Sequence, residues 1–185
     1  MQSREDLIKS LGRSDVSIAA SKDSPNYWTS RPQNLVTECN IGNVIFGNGL
    51  SVYQNAIIPQ LLAAEYEVIL VTCFWARSET LFALNDGLRQ LSAKGLRNGK
   101  RIRVRICFSS SSLWQKLFHP SSVYVYDAPS WERVGLPRSD ELAGLDMHVR
   151  SRFVLPFSVF HPKLVIVDRG KVLLPSCNVS WVSVK

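Results

Sequence analysis

Residues 68–108, VILVTCFWARSETLFALNDGLRQLSAKGLRNGKRIRVRICF, decide the architecture. The first eight form an unbroken apolar run, the pattern of a strand buried on both faces. From Ser78 the period changes. Leu81, Leu84, Leu88 and Leu91 recur at helical spacing, and Ser78 stands where a capping-box-like N-cap belongs, so a helix is expected over 78–96. Residues 100–108, KRIRVRICF, then alternate apolar with basic, as a strand does. Strand, helix and strand in that order make a βαβ unit, so part of the sheet should be parallel. The expected fold class is α/β, a mixed and largely parallel sheet flanked by helices.

Outward from this unit the signals weaken. Residues 51–67 have apolar positions at helical spacing, with Pro59 either starting or kinking the helix. GNG at 47–49 reads as a turn, and residues 35–46 read as extended. Residues 1–34 are polar, with one short helix expected at Glu5–Leu11, and form an N-terminal extension to a domain over 35–185. Downstream, the four serines 109–112 read as a loop, 123–127 and 145–154 as strands, and the stretch between those strands as loop with a helical turn.

The chain of 185 residues suits one domain with a real core, and a charged fraction of only 20% supports a globular body. Its net charge of +7 favours anionic partners: phosphates, nucleic acid or acidic lipid surfaces. Basic residues concentrate between Arg77 and Arg105, where only Glu79 and Asp86 oppose them. Arg101, Arg103 and Arg105 share one strand face, read as a solvated or edge strand guarded by charge in preference to a phosphate-binding stripe. The four cysteines are far apart in sequence, without metal-ligand spacing, and read as reduced thiols. No signal peptide opens the sequence and no apolar run reaches the ~20 residues of a membrane span. The expected location is intracellular, cytoplasmic or peripheral to a membrane.

Residues 161–178, HPKLVIVDRGKVLLPSCN, have the pattern of an apolar hairpin with polar ends. A two-residue loop at Arg169-Gly170 would make Asp168 and Lys171 the closing pair. That register sets His161 opposite Asn178 and Lys163 opposite Ser176, with all four side chains on one face. Asp168 falls on the opposite parity, at the turn, in a supporting place. A neutral imidazole is a nucleophile or proton carrier near pH 7, and a lysine is a point charge for a phosphate oxygen. Serine and asparagine add hydrogen bonds. The set suits attack on a phosphodiester with neither metal nor cofactor, with His161 as nucleophile and Lys163 and Asn178 stabilising charge on the oxygens.

These residues resemble the signature of the phospholipase D superfamily, H-x-K-x4-D-x6-G-S-x-N, here His161, Lys163, Asp168, Ser176 and Asn178. Five fixed positions at about 5% each make a chance match about one in ten thousand chains of this length. The apolar strand at 68–75, the helix and the following strand look like the early βαβ of that fold. The resemblance implies a phosphohistidine intermediate, resolved by water or an alcohol, and a second histidine from a second motif copy that protonates the leaving group. By position, His161 would be the nucleophile or its acid partner. Lys163 and Asn178 would bind phosphate with Ser176 assisting, and Asp168 would support the catalytic His161 and Lys163.

Three departures accompany the match. Pro175 replaces the motif glycine and brings no N–H. There is one motif copy: His148-x-Arg150 is the nearest echo, with Leu155 where the acid should be, and His119 has no lysine after it. The chain stops at Lys185, soon after the motif. The expected arrangement is the N-terminal lobe of a two-motif protein, or a homodimer sharing one site across its two-fold. Expected partners are a phosphodiester substrate, phospholipid or nucleic acid, a membrane surface touched peripherally, and the second lobe or homodimer partner. The alternatives are a nuclease of the same superfamily and an inactive lobe that only binds phosphate. Trp114 and Trp131 are candidate exposed aromatics, although core packing is the expected use of most tryptophans.

Overall fold

A computed structural model describes residues 39–110, 123–154 and 158–180. The expected helix at Glu5–Leu11, and Trp114 and His119, lie outside these residues. The chain divides into two units between Val44 and Ile45; residues 39–44, the described part of the first, are irregular and exposed.

The second unit is an α/β body. Six strands run in the order β3-β4-β2-β1-β6-β7: β1 (Glu67–Phe74), β2 (Ile102–Ser110), β3 (Val123–Tyr126), β4 (Leu145–Val154), β6 (Leu164–Val167) and β7 (Lys171–Leu173). A two-residue β5 (Ser158–Val159) pairs with β4 off this path. β1 with β2 and β2 with β4 are parallel, as the βαβ pattern requires. The pairs β3–β4, β1–β6 and β6–β7 are antiparallel, so the sheet is mixed with a parallel centre rather than largely parallel. β6 and β7 are antiparallel because a tight hairpin, not a crossover, joins them.

The first helical stretch is α1 (Gly49–Val52), a π-helical turn (Tyr53–Ile57) and α2 (Ile58–Ala63). Pro59 stands in the first turn of α2. A proline ring clashes with the carbonyl four residues back, and the wider turn just before it gives local relief. α3 (Glu79–Arg97) begins where Ser78 Oγ accepts the Leu81 N–H at 3.2 Å. Leu81, Leu84, Leu88 and Leu91 are fully buried against the sheet, each stabilising the fold by about 2 kcal/mol. A 3-10 helix (Ala128–Val134) is the helical turn expected between β3 and β4.

One face of the sheet makes the core. Val68 and Leu70 of β1, Ile102, Val104, Ile106 and Phe108 of β2, and Met147 and Val149 of β4 join the helical leucines, Tyr53 and Trp75 in one cluster. Trp131 belongs to it too, its indole N–H donating to the Tyr126 carbonyl at 3.1 Å, and so is a core residue, not an exposed aromatic. The opposite face carries Arg103, Arg105 and Cys107 of β2 and Asp146, His148, Arg150 and Arg152 of β4, by the strand register. Among the described residues no helix covers it.

Two local expectations are corrected. Ser109 and Ser110 continue β2 instead of opening a loop; Phe74 of β1 still pairs with Ser110. β2 is a central strand, not an edge strand guarded by charge. Its arginines reach carboxylates on neighbouring strands, Arg105 to Asp146 at 2.9 Å and Arg103 to Glu67 at 3.8 Å.

Candidate functional site

The hairpin forms, but with a different register. β6 and β7 pair Val165 with Leu173, Ile166 with Val172 and Val167 with Lys171. The loop is therefore Asp168-Arg169-Gly170, one residue longer than expected, and Asp168 does not pair with Lys171. Asp168 and Arg169 take left-handed backbone, with φ of 50° and 56°. Aspartate tolerates that region better than most residues.

The physical reason is the Asp168 carboxylate. It accepts three backbone N–H groups at the start of β1, from Glu65, Tyr66 and Glu67, each at 2.8 Å. Its own N–H donates to the Glu67 carbonyl at 2.9 Å. Burial pushes the carboxyl up, and the three N–H donors with the Lys94 charge more than reverse it, holding it below the usual range. Asp168 thus clamps the hairpin turn to β1. The four residues of β6, about 13 Å of strand, separate it from Lys163.

His161 and Lys163 do come together. Lys163 Nζ lies 3.3 Å from His161 Nε2 and 3.3 Å from the His161 carbonyl oxygen. Both precede β6, where the backbone is irregular, so side chains two apart meet without a ladder to space them. The segment is held by Phe160, whose N–H donates to Ser109 Oγ at the end of β2 at 2.8 Å.

Asn178 arrives by a route the hairpin did not suggest. After β7 the chain leaves the ladder and docks beside the end of β1. Trp75 and Val179 make a parallel bridge, and the Ala76 N–H donates to the Val179 carbonyl at 2.8 Å. Asn178 Oδ1 accepts the Phe74 N–H at 3.0 Å and lies 3.3 Å from Thr72 Oγ1. With the amide oxygen pinned, the NH2 of Asn178 is left as a donor without a protein partner among the described residues. The His161–Asn178 and Lys163–Ser176 pairings expected from the hairpin are absent from the described ladder.

Lys163 is nonetheless within electrostatic reach of the 176–178 bend. Burial pushes the Cys177 thiol up, and the Lys163 charge opposes this. Burial raises the Tyr53 phenol in the π-helical turn, and the nearby Cys177 adds to the rise through its charge. Ser176 is exposed on the bend. His161, Lys163 and Asn178 therefore gather near the carboxyl ends of β1 and β2, where open parallel sheets bind their ligands. Thr72, which positions Asn178, was hidden in sequence because it looks like an ordinary strand residue, and Ser109, which positions Phe160, because it reads as the first serine of a loop. Arg150 entered the sequence reading only in the His148-x-Arg150 echo of the motif, and Arg152 not at all.

No known family model matches the chain, and no curated protein matches it.

Proposed function

We propose that the protein supplies one half of a metal-independent phosphodiesterase site of the phospholipase D type. The observation that carries this reading is Lys163 Nζ at 3.3 Å from His161 Nε2. An ammonium has donors only, so Nε2 acts there as acceptor, and the ring proton belongs on Nδ1. Lys163 thus stands beside the nucleophilic nitrogen, and a substrate oxygen that takes the Lys163 charge frees the Nε2 lone pair for attack on phosphorus.

The reaction follows from these groups. His161 Nε2 attacks phosphorus, forming an N–P bond as the P–O bond to the leaving alcohol breaks. Lys163 and the Asn178 NH2 stabilise the non-bridging oxygens. A second imidazole, from another copy of the motif on a second lobe or a dimer partner, gives its proton to the leaving oxygen. The same imidazole then takes a proton from water or an alcohol, which attacks phosphorus, breaks the N–P bond and frees His161. Asp168 acts on the hairpin's position and not on the phosphate.

The test is hydrolysis of a chromogenic phosphodiester in excess EDTA, beside His161→Ala. Turnover by the unaltered protein that survives EDTA and disappears in the variant is the expected result. Turnover abolished by EDTA rejects the phosphohistidine route. Phosphate binding that depends on Lys163, with turnover in neither protein, favours the second reading of a phosphate-binding lobe.

A further inference from the structure

The sheet face away from the helices carries a charge arrangement that the hydrolytic chemistry does not use. Its carboxylates are taken: Glu67 by Arg169 at 2.8 Å and Arg103 at 3.8 Å, and Asp146 by Arg105 at 2.9 Å. His148, too, has Asp146 beside it at 3.7 Å. Two β4 residues further along that face, Arg150 and Arg152, are exposed and have no carboxylate partner among the described residues.

Their place is specific. Arg150 pairs in register with Cys107 of β2, and Arg152 lies one residue beyond the Phe108–Ser151 pair, beside Ser109. Both guanidinium charges act on the Cys107 thiol between the strands, against the burial that raises it. The Arg152 guanidinium sits over the Phe160 ring, 6.0 Å from its centroid. Phe160 is tied to Ser109 and precedes His161 directly. A line of positive charge thus runs from the His161–Lys163 pair over Phe160 to Arg152 and on to Arg150.

We infer that Arg152 and Arg150 bind successive phosphates of a single-stranded nucleic acid whose reacting phosphodiester lies at His161 and Lys163. The inference rests on the phosphodiester reading above and names the class of its substrate. Two cations on one strand face stand about 7 Å apart in a row, which suits the repeated charges of a linear polyanion better than one isolated group. Arginine forks also take phosphate oxygens in pairs. An aromatic ring within the row, Phe160, matches the mixture of charge and stacking surface by which single strands are held. A lipid surface would instead present a plane of headgroups, for which a row along one strand has no preference.

The experiment measures binding of a fluorescein-labelled single-stranded oligothymidylate to the full chain across a salt titration. The variants are Arg150→Ala/Arg152→Ala, Arg150→Lys/Arg152→Lys and His161→Ala. Vesicles of phosphatidylglycerol and phosphatidylcholine serve as the second probe. Loss of two phosphate contacts should lower the slope of log affinity against log salt by about 1.4 in the alanine pair, while the lysine pair and His161→Ala keep it. An unchanged slope in the alanine pair overturns the inference. So does absence of oligonucleotide binding, or arginine-dependent binding of the vesicles alone. If the slope falls as expected while His161→Ala still hydrolyses a chromogenic phosphodiester, the polyanion site stands and the catalytic reading fails.

Discussion

Asn178 Oδ1 accepts the backbone N–H of Phe74 at 3.0 Å, across 104 residues of sequence. This bond fixes the amide so that its NH2 is the free end. Asn178→Asp keeps the acceptor and exchanges two donors for a negative charge, so it should preserve stability while weakening phosphate binding at least tenfold, as loss of a hydrogen bond to a charged group costs about 1.5–3 kcal/mol. Asn178→Ala should lose about 1 kcal/mol of stability as well. Denaturant unfolding beside phosphate titration separates the two effects: equal loss of stability in both variants would contradict the acceptor role, and unchanged phosphate affinity in Asn178→Asp the donor role.

The Asp168 clamp predicts a pH dependence. Its folded-state carboxyl is held below the ordinary value, as is that of Glu67, for which the Arg169 hydrogen bond is the leading cause. Groups depressed on folding stabilise the protein above their unfolded values, near pH 4, and this stability is lost as pH falls through the lower folded values. Asp168→Ala should cost about 2 kcal/mol at neutral pH, because three N–H groups lose their acceptor. It should also flatten the acid limb of the stability curve. Urea midpoints from neutral pH down to pH 3 check both.

The βαβ centre was legible because each of its elements announces itself locally. An apolar run, a leucine period with a serine cap and an alternating strand need no tertiary knowledge to be recognised. The hairpin's existence was legible for the same reason. Its register was not: a two-residue loop at Arg169-Gly170 keeps Asp168 in the ladder opposite Lys171, but the partners that take Asp168 out of the ladder are N–H groups 101 to 103 residues away. The central place of β2 was likewise invisible, since the carboxylates that satisfy Arg103 and Arg105 come from β1 and β4. Of the site, the His161–Lys163 contact follows from local spacing, whereas the placement of Asn178 depends on the far end of β1.

Gly144 and α3 approach so closely that a side chain has no room. A Cβ at Gly144 would stand 2.0 Å from the Ser92 carbonyl oxygen, and the Gly144 N–H donates to Ser92 Oγ at 3.0 Å. Gly95, on the same helix, would put its Cβ 2.4 Å from the Gly144 carbonyl oxygen. Backbone lies on both sides of the contact, so the helix must shift from the sheet. Gly144→Ala should destabilise by about 3 kcal/mol, and Gly170→Ala, whose Cβ meets nothing closer than 3.9 Å, by much less. Thermal unfolding of the two variants compares them directly.

Lys163 and His161 can be separated by substitution. Lys163 has its charge beside His161 and the 176–178 bend, and the two lie outside the buried core. Lys163→Met should leave the melting temperature within a few degrees of the unaltered protein, since surface changes are usually worth less than about 0.5 kcal/mol. It should weaken phosphate binding ten- to a hundredfold through loss of a charge-assisted contact of about 1.5–3 kcal/mol. Lys163→Arg should recover part of that affinity by restoring the charge. Isothermal titration with inorganic phosphate and differential scanning calorimetry read the two quantities. Unchanged phosphate affinity in Lys163→Met would remove Lys163 from the anion site.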